Sequence, residues 1–169
     1  ARWRRWYGIS KRDRWAILGG QLVTPIRQNR PPFWVWNAGL NQLYMSSYHL
    51  APGLLKHYLD ALKKHSARYI FGYSSAVYTL AKGAIRENRK DIKMDVVITN
   101  AEPLFDYQKE LISEAFGCPV RETYGMAEMV AAAGDCREGR LHQWLDAGII
   151  EPDAAGEKGR AGDIIWTGL

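Results

Sequence analysis

The sequence predicts an α/β domain built on a mostly parallel sheet with crossover helices, followed by a small terminal β segment. Short apolar runs that are typical of buried strands alternate with longer segments whose apolar residues recur at helical spacing. Glycine or proline stands where most of these segments end. Strands that alternate with helices usually pair in parallel through crossover connections, so this order indicates the α/β class.

The first third of the chain contains one predicted strand and one long predicted helix. The opening "ARWRRWY" places Trp3, Trp6 and Tyr7 at roughly helical spacing. The run "RWAILGG" (residues 14–20) predicts a buried strand that two glycines end. The segment "RQNRPPFWVWNAG" (residues 27–39) is predicted to be irregular because its two prolines break any helix. A helix is predicted from Pro52, with an inward face formed by Leu54, Leu55, Tyr58, Leu59 and Leu62.

The centre of the chain continues the alternation. "RYIFGY" (residues 68–73) predicts a short strand, and Ser74 or Ser75 is expected to cap a helix that runs through Ala76, Leu80 and Ile85. The continuous apolar run at residues 96–98 of "MDVVITNAEPL" is the mark of a strand covered on both faces.

A further helix and three strands complete the prediction. The helix has an apolar side formed by Leu111, Ile112, Ala115 and Phe116. Gly117 suits its left-handed C-terminal cap, and Pro119 prevents continuation. "PVRETYG" (residues 119–125) predicts the next strand, and "GIIEPD" and "GDIIWTG" predict two terminal strands joined by a turn rich in glycine and charge.

Two predicted strands are followed by polar residues, in "TNAEPL" and "TYGMAE". In open parallel sheets, ligands bind beyond the carboxyl ends of the strands. If these two strands are neighbours, one crevice collects Asn100, Ala101, Glu102, Tyr124 and Glu128. This convergence is the strongest functional signal in the pattern.

The types of these residues suit a nucleotide. Tyr124 offers a flat face to a purine or aryl ring, and Gly125 lets the backbone approach closely. Glu128 offers the carboxylate oxygen that Mg²⁺ prefers. Structural roles stay open, because tyrosine at a strand end and glutamate in a first helical turn are both commonplace. Glu102, before Pro103, fits either a helix N-terminal turn or a loop edge that faces a ligand.

Other chemistries find less support. The sequence has no G-x-S-x-G elbow, no G-x-G-x-x-G after a strand and no Walker-type Gly-Lys-Ser. Cys136 and His142 have C-x5-H spacing, but a structural zinc site needs four ligands, so we expect no zinc there. His49 suits a structural role better than a place beside the site, because it has no evident partner.

Composition limits compartment and partners. Two cysteines argue against a disulfide scaffold and favour a reducing compartment. No signal peptide and no apolar run of about 18 residues is present, so we expect a cytoplasmic protein without a membrane span. The net charge of +5 is concentrated near the start, in "ARWRRW" and "SKRDR". We interpret that cluster as the solvated face of a helix; a nucleic-acid-binding module is the alternative.

Five motifs, in this order, resemble the phenylacetate–CoA ligase family of adenylate-forming enzymes, including its branch found with capsular polysaccharide biosynthesis. The resemblance spans nearly the whole chain, and the ordered set is more specific than any one motif. The motifs are "GYSSAVYTLA" (72–81), "TNAEPLFDYQKELISEAFG" (99–117), "VRETYGMAE" (120–128), "CREGRLHQW" (136–144) and "GDIIWTGL" (162–169).

The resemblance implies a role for each matched position. Residues Asn100, Ala101, Glu102 and Pro103 match the loop that lines the adenine. Tyr124 matches the tyrosine beside the adenine and the acyl group, and Gly125, Met126 and Ala127 follow it in the same cofactor-binding motif. Glu128 matches the catalytic glutamate that helps hold Mg²⁺ near the ATP phosphates.

The resemblance also implies what this chain lacks. It places the Ser/Thr/Gly-rich phosphate loop before residue 1, and the ribose-binding aspartate and mobile C-terminal domain after residue 169. We therefore expect residues 1–169 to be a single partial domain, the central part of the large N-terminal AMP-binding domain. The chain starts without Met and stops in a strand-like run, which agrees with a longer protein. Ala127 stands where the wider superfamily usually has Thr or Ser.

The function implied is ATP-dependent activation of a small carboxylic acid to an acyl-adenylate, followed by transfer to a thiol such as coenzyme A. ATP, Mg²⁺ and coenzyme A are the expected small molecules, and no nucleic acid is expected. We expect no turnover from this chain alone. A catalytically silent relative that binds nucleotide or another ligand is the alternative, and Ala127 is the feature that favours it.

Overall fold

The computed structural model describes residues 2–125, 130–152 and 164–168. Within these ranges the chain forms four α-helices and ten β-strands. The helices are α1 (Arg2–Trp6), α2 (Leu55–Lys64), α3 (Ser74–Arg86) and α4 (Asp106–Phe116). The strands are β1 (Trp15–Gly19), β2 (Trp34–Asn37), β3 (Gln42–Ser46), β4 (Tyr69–Tyr73), β5 (Val96–Asn100), β6 (Val120–Gly125), β7 (Ala132–Asp135), β8 (Leu141–Gln143), β9 (Ile149–Pro152) and β10 (Ile164–Thr167).

Eight strands form one mixed sheet in the order β2-β3-β1-β4-β5-β6-β7-β8. The central five, from β3 to β6, are parallel, while β2, β7 and β8 pair antiparallel at the two ends. Strands β9 and β10 form a separate antiparallel pair, which is the predicted terminal β segment. The predicted α/β class with a mostly parallel sheet is therefore confirmed.

One segment departs from the prediction. Residues 27–39 were expected to be irregular, but Trp34–Asn37 forms the edge strand β2 against β3, which was not predicted either. The prolines exclude a helix without excluding a strand that starts two residues later. The Trp34 ring packs edge-on against Tyr58 at 5.9 Å, and Trp36 stacks on His65 at 4.7 Å. Packing on α2 therefore selects the extended conformation.

Helices α2, α3 and α4 cover one face of the sheet over the main hydrophobic core. Tyr58, on the predicted inward face of α2, is fully buried, and its hydroxyl donates to the carbonyl of Ser46 at 2.8 Å. The C-terminal cap of α4 is also confirmed, because Gly117 is left-handed with φ +63° and its N–H donates to Ser113. The predicted serine cap of α3 is wrong, because the helix begins at Ser74 and no side chain of its N-cap residue, Tyr73, accepts a bond.

The opposite face of the sheet carries a smaller core of Ile9, Tyr69, Val96 and Ile98. The Trp15 and Tyr69 rings stack at 5.5 Å, and the Arg4 guanidinium lies 5.5 Å from the Trp15 ring centroid. Tyr7 also packs against this core. Tyr7 thus packs inward as expected, whereas Arg4 of the basic opening lies over the Trp15 ring. No helix within the described ranges is both long enough and apolar enough to cross a membrane.

Gly72, in β4, lies close to the backbone of the neighbouring strand β1. A Cβ atom there would lie 2.6 Å from the Leu18 carbonyl oxygen on β1 and 3.0 Å from the Leu18 Cβ. We therefore expect Gly72→Ala to destabilise the full-length protein by about 1–3 kcal/mol, the usual cost of overpacking.

Thermal unfolding measures this effect, with Gly53→Ala as the matched control. A Cβ at Gly53 meets no atom within 4 Å. We expect Gly53→Ala to melt like the wild type, whereas Gly72→Ala melts several degrees lower. Equal melting temperatures for the two variants would contradict the packing of β4 against β1.

Candidate functional site

Strands β5 and β6 are neighbours, which is the condition that the sequence prediction set, and their carboxyl ends meet that of β4 at one edge of the sheet. Tyr73 is in register with Asn100, and Thr99 is in register with Glu122, two residues before Tyr124. A cavity of about 650 Å³ opens here, on the sheet face opposite α2, α3 and α4. Asn100, Ala101, Tyr124 and Gly125 all line it. The structure thus brings four of the predicted cofactor-binding residues together.

The side walls of this cavity are apolar and were not predicted. Alternate residues of β1 and β4 contribute Trp15, Ile17 and Phe71, all of which are half-buried. Their alternation along two strands was the available signal, but it identifies a face only when the layer on the other side is known. Trp144, just after β8, adds a further aromatic wall. A cavity of this composition suits a flat or apolar ligand held by a few polar groups.

Ala101 has an unusual backbone. Its φ is +63°, in the left-handed region that residues other than glycine seldom adopt. For alanine this conformation costs roughly 1–2 kcal/mol, so neighbouring contacts must maintain it. Ala101 is the first residue of the β5–α4 loop (residues 101–105) and lies on the cavity wall. Local strain therefore coincides with the candidate site.

Glu102 does not line this cavity. Its carboxylate accepts from the Ser75 N–H at 2.8 Å, and its carbonyl accepts from the Ser74 hydroxyl at 3.1 Å. The side chain therefore satisfies an N–H of the first turn of α3, where a negative charge is favoured. Glu102 instead borders a smaller depression of about 340 Å³ beside Ser75 and Thr79. Pro103 lies in the loop before α4, which begins at Asp106, so Pro103 does not start that helix.

Glu122 is a polar residue that the sequence reasoning missed. Its carboxylate accepts from the Leu104 N–H at 3.1 Å, and its own N–H donates to the buried Asp135 carboxylate at 3.0 Å. Burial raises the pKa of the Glu122 carboxyl, the Leu104 hydrogen bond opposes this shift, and the charge of Asp135 adds to it. The folded-state pKa therefore lies above the unfolded-state pKa. As the pH rises from the unfolded-state value through the folded-state value, ionisation of this carboxyl lowers the free energy of unfolding.

Tyr124 and Gly125 end strand β6, opposite Ala133 and Ala132 of β7. Tyr124 is 41% exposed, so its ring is not part of a closed core. Gly125 has no left-handed φ, and a Cβ there would approach no atom closer than 3.8 Å. Its backbone conformation therefore does not require glycine. The predicted site residues Met126, Ala127 and Glu128 lie outside the described residues.

Cys136, His142 and His49, which the sequence analysis considered, each contact other side chains of the protein. Cys136 is buried, and its thiol donates to the Glu138 carboxylate at 2.9 Å, while His142 packs edge-on against Trp6. His49 is buried on Phe33, and its Nδ1 lies 2.9 Å from the Ser46 hydroxyl. Over the described ranges, no group of three or more His, Cys, Asp or Glu residues could hold a metal ion. The absence of zinc stays a prediction.

The chain is similar in sequence to a known protein. The chain is 31% identical over 147 residues to Protein CapK of Staphylococcus aureus, an alignment that covers 86% of this chain and 32% of CapK. The chain therefore spans about a third of the length of that relative. No protein-family model matches the chain.

Solved structures share the fold. A 2-hydroxyisobutyryl-CoA ligase in the postadenylation state, in complex with R3-HIB-AMP, matches with a TM-score of 0.65 at 20% identity, over 99% of this chain and 37% of that one. The same ligase in an open conformation with 2-HIB-AMP and CoA gives a TM-score of 0.63, over 99% and 41%. VinN in complex with L-aspartate gives 0.54 at 16% identity, over 95% and 41%.

Proposed function

We propose that the chain belongs to an acid–thiol ligase. The premise is that it has the fold of the adenylate-forming CoA ligases and is related in sequence to Protein CapK, as its motifs predicted. In the proposed reaction a carboxylate oxygen attacks the α-phosphorus of ATP. This forms an acyl-adenylate and releases pyrophosphate. A thiol such as that of coenzyme A then attacks the acyl carbonyl, so that a thioester forms and AMP leaves.

The observation that carries the proposal is the meeting of two separate loops at one cavity. Asn100 and Ala101, at and just after the end of β5, and Tyr124 and Gly125, at the end of β6, line the same space of about 650 Å³. They lie at the carboxyl ends of parallel strands, where open α/β sheets bind ligands. Two polar loops and aromatic walls fit a ligand that combines a flat base with an apolar acyl group.

Each side of the cavity then has a proposed task. Tyr124 provides a ring wall for the adenine or the acyl group, and the left-handed Ala101 presents backbone groups close to the same space. Phe71 and Trp15 provide apolar surface for the remainder of the ligand. These contributions position the reactants, and positioning supplies a large share of the acceleration in bimolecular reactions.

The residue proposed to bind Mg²⁺ lies outside the described ranges. Those ranges contain no cluster of metal-binding side chains, so the proposed ligand is Glu128, for which the sequence motif is the support. A bound Mg²⁺ would neutralise charge on the ATP phosphates. Glu102 is not proposed as a metal ligand, because its carboxylate bonds to α3.

The chain is proposed to be the central part of the AMP-binding domain, and the activity is proposed for the whole protein. Its coverage of CapK, 32%, supports this division. The second candidate is a relative that binds ATP without forming an adenylate. Ala127 favours it, because a hydroxyl at that position could reach the α-phosphate and a methyl group cannot.

ATP–pyrophosphate exchange by the full-length protein tests the proposal. With Mg²⁺ and a panel of small carboxylic acids, we expect exchange that depends on one class of acid and disappears when the acid is omitted. Tight ATP binding with no exchange for any acid would favour the silent relative. If the protein neither bound ATP nor exchanged pyrophosphate, both candidates would be rejected.

A further inference from the structure

Two carboxylates hold the β5–α4 loop from opposite sides. Glu102 reaches from the loop to α3, where its carboxylate accepts the Ser75 N–H at 2.8 Å. Glu122 reaches into the loop from β6, where its carboxylate accepts the Leu104 N–H at 3.1 Å. The two hydrogen bonds therefore fix residues 102 and 104, and Ala101 immediately precedes them.

Further bonds tie this arrangement to the rest of the sheet. The Ser74 hydroxyl donates to the Glu102 carbonyl at 3.1 Å, which adds a second link between the loop and α3. The Glu122 N–H donates to the Asp135 carboxylate on β7 at 3.0 Å. The loop, α3, β6 and β7 are thus connected by one chain of hydrogen bonds.

The strained backbone explains why such a connection matters. Alanine in the left-handed region relaxes to an ordinary conformation unless surrounding contacts maintain it. Ala101 lies on the cavity wall next to Asn100, so relaxation would change the surface that a ligand meets. Neither hydrogen-bonding carboxylate lines that cavity.

We propose that Glu122 and Glu102 are positioning residues, which hold the β5–α4 loop with Ala101 in its left-handed conformation so that the cavity is preformed for a nucleotide. The inference rests on the proposed function, because the loop matters only if the cavity binds ATP. Neither glutamate needs to touch the ligand. Their contribution is to lower the conformational cost of binding, which raises affinity without a new contact.

The positioning role requires the hydrogen bond that Glu122 accepts from Leu104 and does not require its charge. A half-buried carboxylate close to the buried Asp135 is electrostatically unfavourable, which agrees with the raised pKa of its carboxyl. A neutral residue of the same shape would avoid that cost and still accept a hydrogen bond. Glutamine is such a residue, so Glu122→Gln separates the hydrogen bond from the charge.

The test compares Glu122→Ala with Glu122→Gln in the full-length protein. We expect Glu122→Ala to weaken Mg·ATP binding and raise the KM for ATP by about tenfold, because the Leu104 N–H loses its partner, while kcat changes little. Glu122→Gln should restore both values to within about twofold of the wild type. Glu114→Ala, on the exposed side of α4, is the control and should change neither.

Hydrogen exchange at the Leu104 amide provides a readout that does not depend on ATP. We expect faster exchange in Glu122→Ala than in the wild type and in Glu122→Gln, at a temperature where all variants are folded. Should Glu122→Ala fail to fold, Glu102→Ala replaces it. The Glu102 side chain is exposed, and its loss frees the Ser75 N–H and should raise the KM for ATP in the same way.

The outcomes separate this inference from the proposed function. If the wild type binds ATP and the alanine variant binds it equally well, the positioning role is overturned and the proposed function stays intact. Faster Leu104 exchange without any loss of affinity would also overturn it, since loosening the loop would then not weaken ATP binding. If the wild type itself bound no ATP, the proposed function would fail and this inference with it.

Discussion

Replacing Glu128 with glutamine in the full-length protein is expected to lower ATP–pyrophosphate exchange by roughly 100- to 1,000-fold while the protein stays folded. Stabilisation of phosphate charge by a metal ion contributes several kcal/mol to such reactions, and each 1.36 kcal/mol corresponds to a factor of ten in rate. Glutamine keeps the size of the side chain but removes the charge that attracts Mg²⁺. The basis is the position of Glu128, four residues after Tyr124 in "TYGMAE".

Steady-state exchange across a range of Mg²⁺ concentrations measures this effect, with melting temperature as the test of folding. The variant should need more Mg²⁺ for half-maximal rate, whereas a residue that only supports the fold would lower the rate equally at all concentrations. Glu114→Ala, an exposed carboxylate change on α4, should leave the rate and the Mg²⁺ dependence unchanged. Wild-type exchange in Glu128→Gln would remove the metal-binding role.

Replacing Tyr124 with alanine is expected to weaken ATP binding by about 1–3 kcal/mol, which is the range for stacking of a base on an aromatic ring. Tyr124→Phe should keep most of the affinity, because the flat face matters more than the hydroxyl. The position of the ring supports this expectation, since it lines the cavity and is 41% exposed. A buried tyrosine would instead leave a destabilising cavity when truncated.

Titration with Mg·ATP and thermal unfolding, carried out together on both variants, separate the two roles. We expect Tyr124→Ala to melt within a few degrees of the wild type and to bind ATP more weakly. A large fall in melting temperature, with loss of binding only in proportion to unfolding, would indicate a structural tyrosine. Normal melting and normal ATP affinity in Tyr124→Ala would reject Tyr124 as part of a nucleotide site.

Strand β5, beside the cavity, was predictable because its residues 96–98 are buried on both faces of the sheet. The continuous apolar run at Val96–Ile98 has few alternatives to a buried parallel strand, and the structure places it in β5. The left-handed cap at Gly117 was predictable for a similar reason, since glycine adopts that conformation without a steric penalty. In both cases the local preference and the final environment agree.

The edge strand and the cavity walls were not predictable in the same way. Trp34–Asn37 becomes strand β2 because β3 pairs with it and α2 packs against its tryptophans. Trp15 and Phe71 face the cavity because three helices cover the other side of the sheet. The helices that pack on the sheet are distant in sequence, so a short window contains no signal for the packing.

The sequence by itself therefore determined the α/β class, the central strands and helices, and the polar residues at the ends of two strands, whereas the pairing of those strands came from the tertiary structure. It also provided the motifs that relate the chain to the adenylate-forming enzymes. Only the tertiary structure decided what each polar residue contacts. Glu102 was expected in the adenine loop, yet its carboxylate bonds to the N–H of Ser75, 27 positions away in sequence. Glu122 showed no signal in sequence, yet it bonds to Leu104, 18 positions away. The physical reason is that hydrogen bonds form between groups that folding brings within about 3 Å, and a residue's chemistry does not specify its partner.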